Sequence, residues 1–352
     1  MSVALPEGAP PSVRLDPLGR ALIEGWQRGF PLVPRPYARI AEALGVHEHL
    51  VIATLARLQR AGVVTRVGPV FRPGTAGASM LAAAAVPPAR LEQVAACVSA
   101  FPEVNHNYER EHRLNLWFVV TGPDRERIEA VVSRIETRCG VRVLRLPMER
   151  DYHIDLAFPL WRGARGPGAH APEITAPRPA ARPDPALVAA VQRGIPLLAR
   201  PYAHVAAALG RAEAEVIATL ERWLADGVLS RFGIVVRHHE LGWRANAMVV
   251  WDVPDGAVDL AGERLARHPA VTLCYRRPRV DGVWPYNLYC MVHGRERATV
   301  RARVAELARL LPPGTRHEVL FSRRRFKQRG ALYALRPSAV GPAGEEAHGG
   351  RA

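Results

Sequence analysis

A segment with two histidines, a tyrosine and an arginine runs from residue 105 to 112 in the order Asn-His-Asn-Tyr-Glu-Arg-Glu-His. On a regular β-strand, alternation places His106, Tyr108 and Arg110 on one face together with Val104. Histidine or tyrosine can give a proton to a reacting carbon, and histidine can also ligate iron. Arginine binds carboxylates through its planar fork. The segment therefore predicts a site for a carboxylate-bearing ligand with a proton donor beside it.

A second segment repeats part of this pattern. Leu273, Tyr275 and Arg277 share a face, so that Tyr275 corresponds to Tyr108 and Arg277 to Arg110. Leu273 stands where the first segment has His106. We therefore expect one competent site, or two unlike ones. The prediction is one ligand per chain, in a cleft built around the first segment and closed by Arg and Tyr of the second.

These two segments belong to a tandem repeat. Residues 29–45 recur as residues 194–210, an offset of 165 positions, and the same offset carries 51–55 onto 216–220 and 66–68 onto 231–233. Three long matches in the same order indicate duplication. Two copies of this length are too few and too long for a solenoid. We interpret the chain as two homologous subunits that are fused and pair within one chain.

Each copy has the same predicted order of elements. Three helices and an alternating strand that leads into a hairpin (residues 18–71 in the first copy) predict a winged helix-turn-helix. A strand, helix, two strands, helix and closing strand then follow over residues 80–150, which is the ferredoxin-like βαββαβ order. The expected fold class is α+β, a tandem repeat of winged helix-turn-helix plus ferredoxin-like domain of the Lrp/AsnC type.

The predicted boundaries follow from these patterns and from a segment rich in Pro, Gly and Ala between the copies. They are a flexible N-terminus (1–15), a first winged helix-turn-helix (16–79), a first ferredoxin-like domain (80–161), a linker (162–185), a second winged helix-turn-helix (186–245), a second ferredoxin-like domain (246–336) and a flexible tail (337–352).

Composition limits the possible ligands and compartments. The formal charge is +15, with 48 basic and 33 acidic residues, and Lys327 is the only lysine. This balance attracts polyanions such as nucleic acid, anionic lipid or a polycarboxylate. The N-terminus has no basic segment followed by an apolar one, so no signal peptide is expected. The longest apolar run, Met80 to Pro88, is too short to span a membrane, and a cytoplasmic protein is expected. The four scattered cysteines predict buried thiols with neither a disulfide nor a zinc site.

The motif at 105–112, followed by Leu114-Asn-Leu-Trp-Phe118, resembles one subunit of the siroheme decarboxylases, the AhbA/AhbB and NirD, NirL, NirG and NirH family. Cys274-Tyr-Arg-Arg-Pro-Arg279 with residues 284–294 resembles the partner subunit of the NirL type. The resemblance covers almost the whole chain and indicates a fused NirD–NirL arrangement. It implies a carboxy-lyase that removes the C12 and C18 acetate carboxyls of siroheme, in the synthesis of heme d1 or of heme.

The chemistry of such a substrate agrees with the residues. Siroheme carries eight carboxylates around a flat macrocycle with a central iron, which calls for arginines, aromatic walls and a histidine. His106 and His112 are expected to act as iron ligand or proton donor, in an order left open, with Tyr108 as the third catalytic residue. The expected substrate-binding residues are Arg110, Arg113, His153, Tyr275, Arg276, Arg277, Arg279, Trp284, Tyr286 and Lys327.

No cofactor beyond the iron tetrapyrrole is expected, and no resident metal. NirG- and NirH-type homologues are candidate partners, and the pseudo-dimer could assemble further into a homo-oligomer. Two alternatives remain, a DNA-binding regulator of the Lrp/AsnC type and a heme sensor without catalysis. The third helix of the second copy argues against DNA, since residues 211–226 carry four acids and two arginines.

Overall fold

The computed structural model describes residues 15–154 and 182–334. The predicted tail and nearly all of the predicted N-terminal segment and linker lie outside these residues. The chain resumes at residue 182, and its next helix begins at Pro185, the last residue assigned to the linker. No helix within the described residues is long and apolar enough to cross a membrane.

The first copy opens with three helices and a strand. Asp16 caps the first helix, because its carboxylate accepts a hydrogen bond from the Gly19 amide at 2.7 Å and Pro17 fits the first turn. Gly45, at φ 64°, ends the second helix in the left-handed region that glycine favours. The elements are α1 (Pro17–Trp26), α2 (Pro36–Leu44), α3 (Glu48–Arg60) and β1 (Val64–Phe71).

The ferredoxin-like part of the first copy follows. Its elements are β2 (Ala78–Ala84), α4 (Leu91–Ala100), β3 (Val104–Arg110), β4 (Leu116–Gly122), α5 (Arg125–Cys139), β5 (Leu144–Pro147) and β6 (Arg150–Ile154). The strands lie in the order β5-β2-β4-β3, with both helices on one face. The prediction of a single closing strand is therefore wrong. It is broken into β5 and β6, and β6 leaves its own sheet to pair with the other copy.

The second copy repeats this order of elements. They are α6 (Pro185–Val191), α7 (Pro201–Leu209), α8 (Glu213–Ala225), β7 (Leu229–Val236), β8 (Ala245–Asp252), α9 (Val258–Ala266), β9 (Val271–Arg276), β10 (Leu288–Gly294), α10 (Arg297–Ala308) and β11 (Arg316–Gln328). Here the closing strand is unbroken. Residues 316–321 of β11 pair with β8, and residues 322–328 pair with β3 of the first copy.

The strand after each third helix does not form the predicted hairpin. Instead β1 and β7 pair antiparallel with each other, with Gly68 opposite Gly233. The hydroxyls of Thr65 and Ser230 add hydrogen bonds to carbonyls across this pair, at 2.9 and 3.1 Å. A lone strand would leave a row of unsatisfied backbone donors, and the equivalent strand of the other copy satisfies them. The winged helix regions are thus joined to each other through β1 and β7.

The ferredoxin-like sheets are also joined, in the order β5-β2-β4-β3-β11-β8-β10-β9-β6. Each copy keeps an apolar core between its sheet and its helices. A further core lies between the sheets and takes residues from both copies, with Trp117 from one and Trp284 and Tyr289 from the other, all nearly inaccessible. The two halves therefore pair within the chain, as the repeat predicts.

The winged helix regions share one core as well. Two equivalent tyrosines cross the boundary between the copies in a reciprocal way. The hydroxyl of Tyr37 donates to the carbonyl of Pro196 at 3.2 Å, and that of Tyr202 donates to Pro31 at 3.0 Å. Both rings are fully buried, which raises the pKa of each phenol above its ordinary range. Each copy thus supplies a backbone carbonyl that accepts a hydrogen bond from a buried tyrosine of the other copy.

The prediction that all four cysteines are free thiols is wrong for one pair. Cys97 on α4 and Cys139 at the end of α5 form a disulfide, with Cα atoms 6.0 Å apart. The two helices lie side by side on one sheet face, which brings residues 42 positions apart in sequence into bonding range. Cys274 and Cys290 are buried free thiols, as expected.

Candidate active site

The row of side chains on β3 forms as predicted but on the other face of the strand. A bulge between Val104 and His106 interrupts the alternation, so Val104 joins the helix-side core. Asn107 points the same way, because its side-chain amide donates to the carbonyl of Ala95 on α4 at 3.1 Å. The expectation that Val104 shares a face with the row is therefore wrong. His106, Tyr108 and Arg110 are left facing the second copy.

These three side chains contact one another in sequence order. The rings of His106 and Tyr108 are nearly parallel with centroids 6.1 Å apart, and the Arg110 guanidinium lies 5.6 Å from the Tyr108 ring centroid. Arg110 is buried and donates to the carbonyl of Leu320 on β11 at 2.9 Å. The strand of one copy and the closing strand of the other together position the row.

Electrostatics keep the histidine of this row neutral. Burial, and then the positive charges of Arg110 and Arg66, lower the pKa of His106 to about 4. Burial lowers the pKa of Arg110 to about 10, so this guanidinium remains charged at neutral pH. Burial also raises the pKa of Tyr108. A neutral imidazole beside a fixed cation can ligate iron, while the arginine can hold a carboxylate.

A second cluster forms around His112, just beyond β3. Its Nε2 lies 3.1 Å from the carboxylate of Glu318 on β11, and its ring meets the edge of Trp284 at 5.4 Å. The hydroxyl of Tyr286 donates to the other oxygen of Glu318 at 2.7 Å. Burial, followed by this hydrogen bond, raises the pKa of Tyr286 to about 12. One glutamate thus connects groups from both copies.

The hydrogen bonds of His112 define its tautomer. The amide of Leu114 donates to Nδ1 at 2.9 Å, so Nδ1 carries no proton and the ring proton lies on Nε2, facing Glu318. Burial lowers the pKa of His112, and Glu318 opposes this by raising it. Glu318 itself keeps 43% of its side chain exposed. The pair can therefore pass protons between water and the interface.

The equivalent row on the second copy also faces the core between the sheets. Tyr275 stacks on Tyr289 at 6.1 Å, and the buried Arg277 lies 4.7 Å from the Tyr275 ring. Arg277 donates to the carbonyl of Leu146 as Arg110 does to that of Leu320. Leu273 takes the position of His106 and packs against this core. The scaffold is therefore duplicated, but the histidine is not.

Trp284 lies among the aromatic side chains of the core between the sheets. It is 1% exposed, donates from Nε1 to the Tyr289 hydroxyl at 2.5 Å, and packs against Trp117 at 5.2 Å. Tyr286 contacts its other side at 5.0 Å. These rings join the two copies behind His112. Of the predicted residues, the structure thus brings together His106, Tyr108, Arg110, His112, Tyr275, Arg277, Trp284 and Tyr286 along the interface.

The remaining predicted residues have other partners. Arg113 donates to the carbonyl of Val283 at 2.6 Å, Arg276 pairs with Glu149 at 2.8 Å, and Arg279 pairs with Asp252 at 2.6 Å. Lys327 donates to the carbonyls of Ser99 and Phe101 at the end of α4, and burial lowers its pKa to about 8. His153 pairs with Cys274 on the opposite end of the joined sheets. Arg113 thus lies at the edge of the His112 cluster, where its charge lowers the pKa of His112. The structure does not bring the other four residues into the two clusters.

Sequence reasoning missed Glu318. It lies 206 positions from His112, and only the pairing of the copies brings them together. Alternation on the closing strand was the available signal, because Glu318 shares a face with the buried Leu320. A cavity of about 350 Å³ opens beside this region and is lined by Arg110, His112 and Arg323, among others.

Both copies match two family models. The AsnC-like ligand binding domain covers residues 75–153 and 240–327, and the siroheme decarboxylase NirDL-like HTH domain covers residues 19–64 and 184–229. The fold is therefore a fused pair of helix-turn-helix and AsnC-like ligand-binding units.

Individual known proteins identify the family within this class. The siroheme decarboxylase NirDL subunit of Paracoccus pantotrophus is 47% identical over 326 residues, 91% of this chain and 98% of that protein. The siroheme decarboxylase of Hydrogenobacter thermophilus (strain DSM 6534 / IAM 12695 / TK-6) is 31% identical over 310 residues, 86% and 90% of the two chains. The crystal structure of the siroheme decarboxylase NirDL with an iron-uroporphyrin III analogue matches with TM-score 0.62 and 28% identity, over 90% of this chain and 94% of that one. The chain belongs to the siroheme decarboxylase NirDL family.

Proposed function

We propose that this chain decarboxylates the C12 and C18 acetate side chains of siroheme and releases 12,18-didecarboxysiroheme for the synthesis of heme d1 or of heme. The observation that carries the proposal is the row of His106, Tyr108 and Arg110 at the boundary between the copies. Membership of the NirDL family supplies the substrate class. The proposed enzyme uses no cofactor beyond the iron tetrapyrrole itself.

The reaction balances without an oxidant. The bond between the acetate methylene and its carboxylate breaks and CO₂ leaves. The electron pair stays on the methylene carbon, where the macrocycle can delocalise it. One proton then converts the methylene into a methyl group. The protein must therefore hold the other carboxylates, exclude bulk water around the reacting carbon and deliver one proton for each acetate.

The geometry favours different roles for the two histidines. Both ring nitrogens of His112 are engaged, by Leu114 and by Glu318, and Glu318 is open to water. This pair is suited to deliver protons. His106 is half-buried, neutral and stacked on Tyr108, and within the described parts of the chain its ring makes no hydrogen bond. We assign His106 to the substrate, as iron ligand or direct donor, with Arg110 holding a carboxylate.

DNA binding is the disfavoured alternative. In α8, the candidate recognition helix of the second copy, Glu213 pairs with Arg200 and Glu215 with Arg211. Acids at this position repel phosphate. Arg200 and Arg211 are paired with these acids, which reduces the positive charge that this helix offers to a DNA backbone.

The direct test is anaerobic incubation of the purified chain with siroheme, followed by product mass. Loss of two CO₂ units is expected, with an intermediate that has lost one. A run with added NirG- and NirH-type homologues serves as a comparison, because such homologues are candidate partners. Siroheme that binds with a shifted Soret band but stays unchanged under both conditions would favour a heme sensor over an enzyme.

A further inference from the structure

Among the described residues, three guanidinium groups near His106 have no acidic partner: that of the buried Arg110 and those of the half-buried Arg66 and Arg237. Arg66 on β1 donates to the carbonyl of Pro69 at 3.1 Å, and Arg110 donates to that of Leu320 at 2.9 Å. Arg237, just after β7, donates to the carbonyls of Gly62 and Gln328, each at 3.4 Å. Within the described residues, the Nε atom of each of the three is buried without a hydrogen-bond partner.

These arginines differ from others in the same chain. Arg72 pairs with Asp151 at 3.2 Å, and Arg145 pairs with Glu136 at 2.6 Å. Burying a charge without a counterion is costly, because the protein interior replaces little of the lost hydration. An unpaired group of three is therefore expected where an anionic ligand completes the charge balance.

The three arginines lie close to His106 and the row on β3. Gln328, which accepts from Arg237, lies opposite His106 in the pairing of β11 with β3. A Cβ atom on Gly330 would lie 2.8 Å from an Nη atom of Arg66, so the chain passes closely over that guanidinium. The charge of Arg66 lowers the pKa of His106, and the charge of Arg237 lowers that of Tyr108 against burial. Arg66 and Arg237 thus reach the row on β3 from the winged helix side.

The duplicated scaffold supplies a built-in comparison. The offset of 165 places Arg231 at the position of Arg66, and Arg72 at that of Arg237. Arg231 donates to the carbonyls of Gln27 and Ile234, and Arg72 is neutralised by Asp151.

The residue equivalent to Asp151 in the other pocket is Arg325, which has the opposite charge. Asp151 pairs with Tyr275 across β6 and β9, just as Arg325 pairs with Tyr108 across β11 and β3. The second pocket therefore has a carboxylate where the first has a guanidinium, and it has Leu273 in place of His106. Arg325 is itself paired with Glu240 at 2.7 Å. The charge difference between the pockets therefore lies at Arg237, which has no acidic partner among the described residues, whereas its equivalent Arg72 pairs with Asp151.

We propose that Arg66 and Arg237 bind carboxylate groups of the iron tetrapyrrole at the His106 pocket, and that the Leu273 pocket does not receive them. This inference rests on the proposed function and extends it. The winged helix regions then serve as part of the substrate site, through the pairing of β1 with β7. The positive charge of these guanidinium groups also selects a substrate with several carboxylates.

Titration of the whole chain with iron uroporphyrin, followed by absorbance, tests this assignment. Arg66→Gln and Arg237→Gln should each weaken binding by about tenfold or more, since each removes a charged hydrogen bond. Arg72→Gln is the matched control, because it removes the equivalent charge from the second pocket. The affinity of this variant for iron uroporphyrin should stay close to that of the wild type. Arg237→Lys keeps the charge without the fork and should fall between wild type and Arg237→Gln.

The outcomes separate the two proposals. Equal affinities of Arg237→Gln and Arg72→Gln, with the wild type binding and decarboxylating siroheme, would overturn the inference and leave the proposed function intact. A wild type that binds no iron uroporphyrin would overturn both. Circular dichroism and the thermal midpoint of each variant verify folding. If Arg66→Gln does not fold, Arg237→Gln decides the question, because Arg237 lies after the end of β7 and the substitution keeps its backbone hydrogen bond to the carbonyl of Val63.

Discussion

His112 of the first copy and Glu318 of the second face each other across the molecule, with Nε2 and Oε2 3.1 Å apart. The Leu114 amide fixes the imidazole from one side, and the Tyr286 hydroxyl fixes the carboxylate from the other. Neither copy alone contains this arrangement. If this pair delivers protons, as proposed above, it can do so only when the two halves are correctly paired.

Replacing Glu318 by Gln should change the pH dependence of turnover. Glu318 raises the pKa of His112, so its neutralisation lowers that pKa further. If protonated His112 supplies the proton, the alkaline decline of kcat moves to lower pH and kcat at neutral pH falls. Glu306→Gln is the control, since Glu306 faces His268 at 4.0 Å in a comparable pair outside the two clusters. Identical pH profiles for both variants would exclude this role for His112.

His106→Leu should abolish most of the activity, because it gives the first copy the residue found in the second. Loss of a proton donor typically costs 10²–10⁴-fold in rate. Single-turnover decarboxylation of siroheme, with the Soret spectrum recorded in parallel, separates loss of chemistry from loss of iron ligation. Leu273→Ala is the control and should retain nearly all activity. An equal loss from both substitutions would refute a single competent site.

Mild acid should destabilise the fold through two histidines whose pKa values are lowered in the folded state. The pKa values of His106 and His293 are both lowered to about 4, mainly by burial, whereas a histidine in the unfolded chain titrates near 6.5. The unfolded state therefore binds more protons below pH 6.5, and stability falls as the pH drops from 6.5 toward 4. Each histidine contributes up to about 1.4 kcal/mol per pH unit.

Urea unfolding at pH 7 and pH 5 measures this effect. The His106→Leu variant should lose the contribution of one histidine and show a shallower dependence of unfolding free energy on pH. The interval above pH 5 avoids carboxylates such as Asp259, whose pKa is lowered below its ordinary value and which titrate in stronger acid. An unchanged slope in the variant would mean that His106 is protonated in the folded protein.

Cutting the chain between the copies should not separate them. The pairings of β1 with β7, β3 with β11 and β6 with β9 all cross from one copy to the other. A protease site introduced between residues 154 and 182 would allow the cut. The two fragments should then elute together at the size of the intact chain, with siroheme turnover retained. Elution as two separate species would show that the connection is needed for pairing.

One tetrapyrrole should bind per chain. His106 has no counterpart at Leu273, and Asp151 neutralises Arg72 in the second pocket. Both acetates are then processed at one place, by release and rebinding or by rotation of the macrocycle. Calorimetric titration with iron uroporphyrin gives the stoichiometry directly. Two sites of equal affinity would contradict this asymmetry.

The repeat and the periodicity of the sequence were sufficient to predict the α+β fold and the pairing of the copies. They also predicted the contacts among His106, Tyr108 and Arg110. The face of this row was predicted wrongly, because alternation assumes regular pairing and a bulge follows Val104. Only the hydrogen-bond register of neighbouring strands reveals such a bulge.

Other features depend on contacts between distant residues. Glu318 meets His112 only after β11 has crossed to the first copy, and Cys97 meets Cys139 only when two helices pack on one sheet. The strand after α3 has the composition of a wing, but its partner is set by the other copy. Local propensity carries no information on such partners.

The aromatic core between the two sheets has a consequence for how the protein is made. Trp117 is supplied by one copy and Trp284 and Tyr289 by the other, so either copy without its partner would expose large apolar rings to water. Separate genes would need matched expression to keep such orphan subunits from aggregating. A single open reading frame delivers both halves in equal number and beside each other. Fusion therefore protects the cell from the unassembled intermediate, independently of any effect on the chemistry.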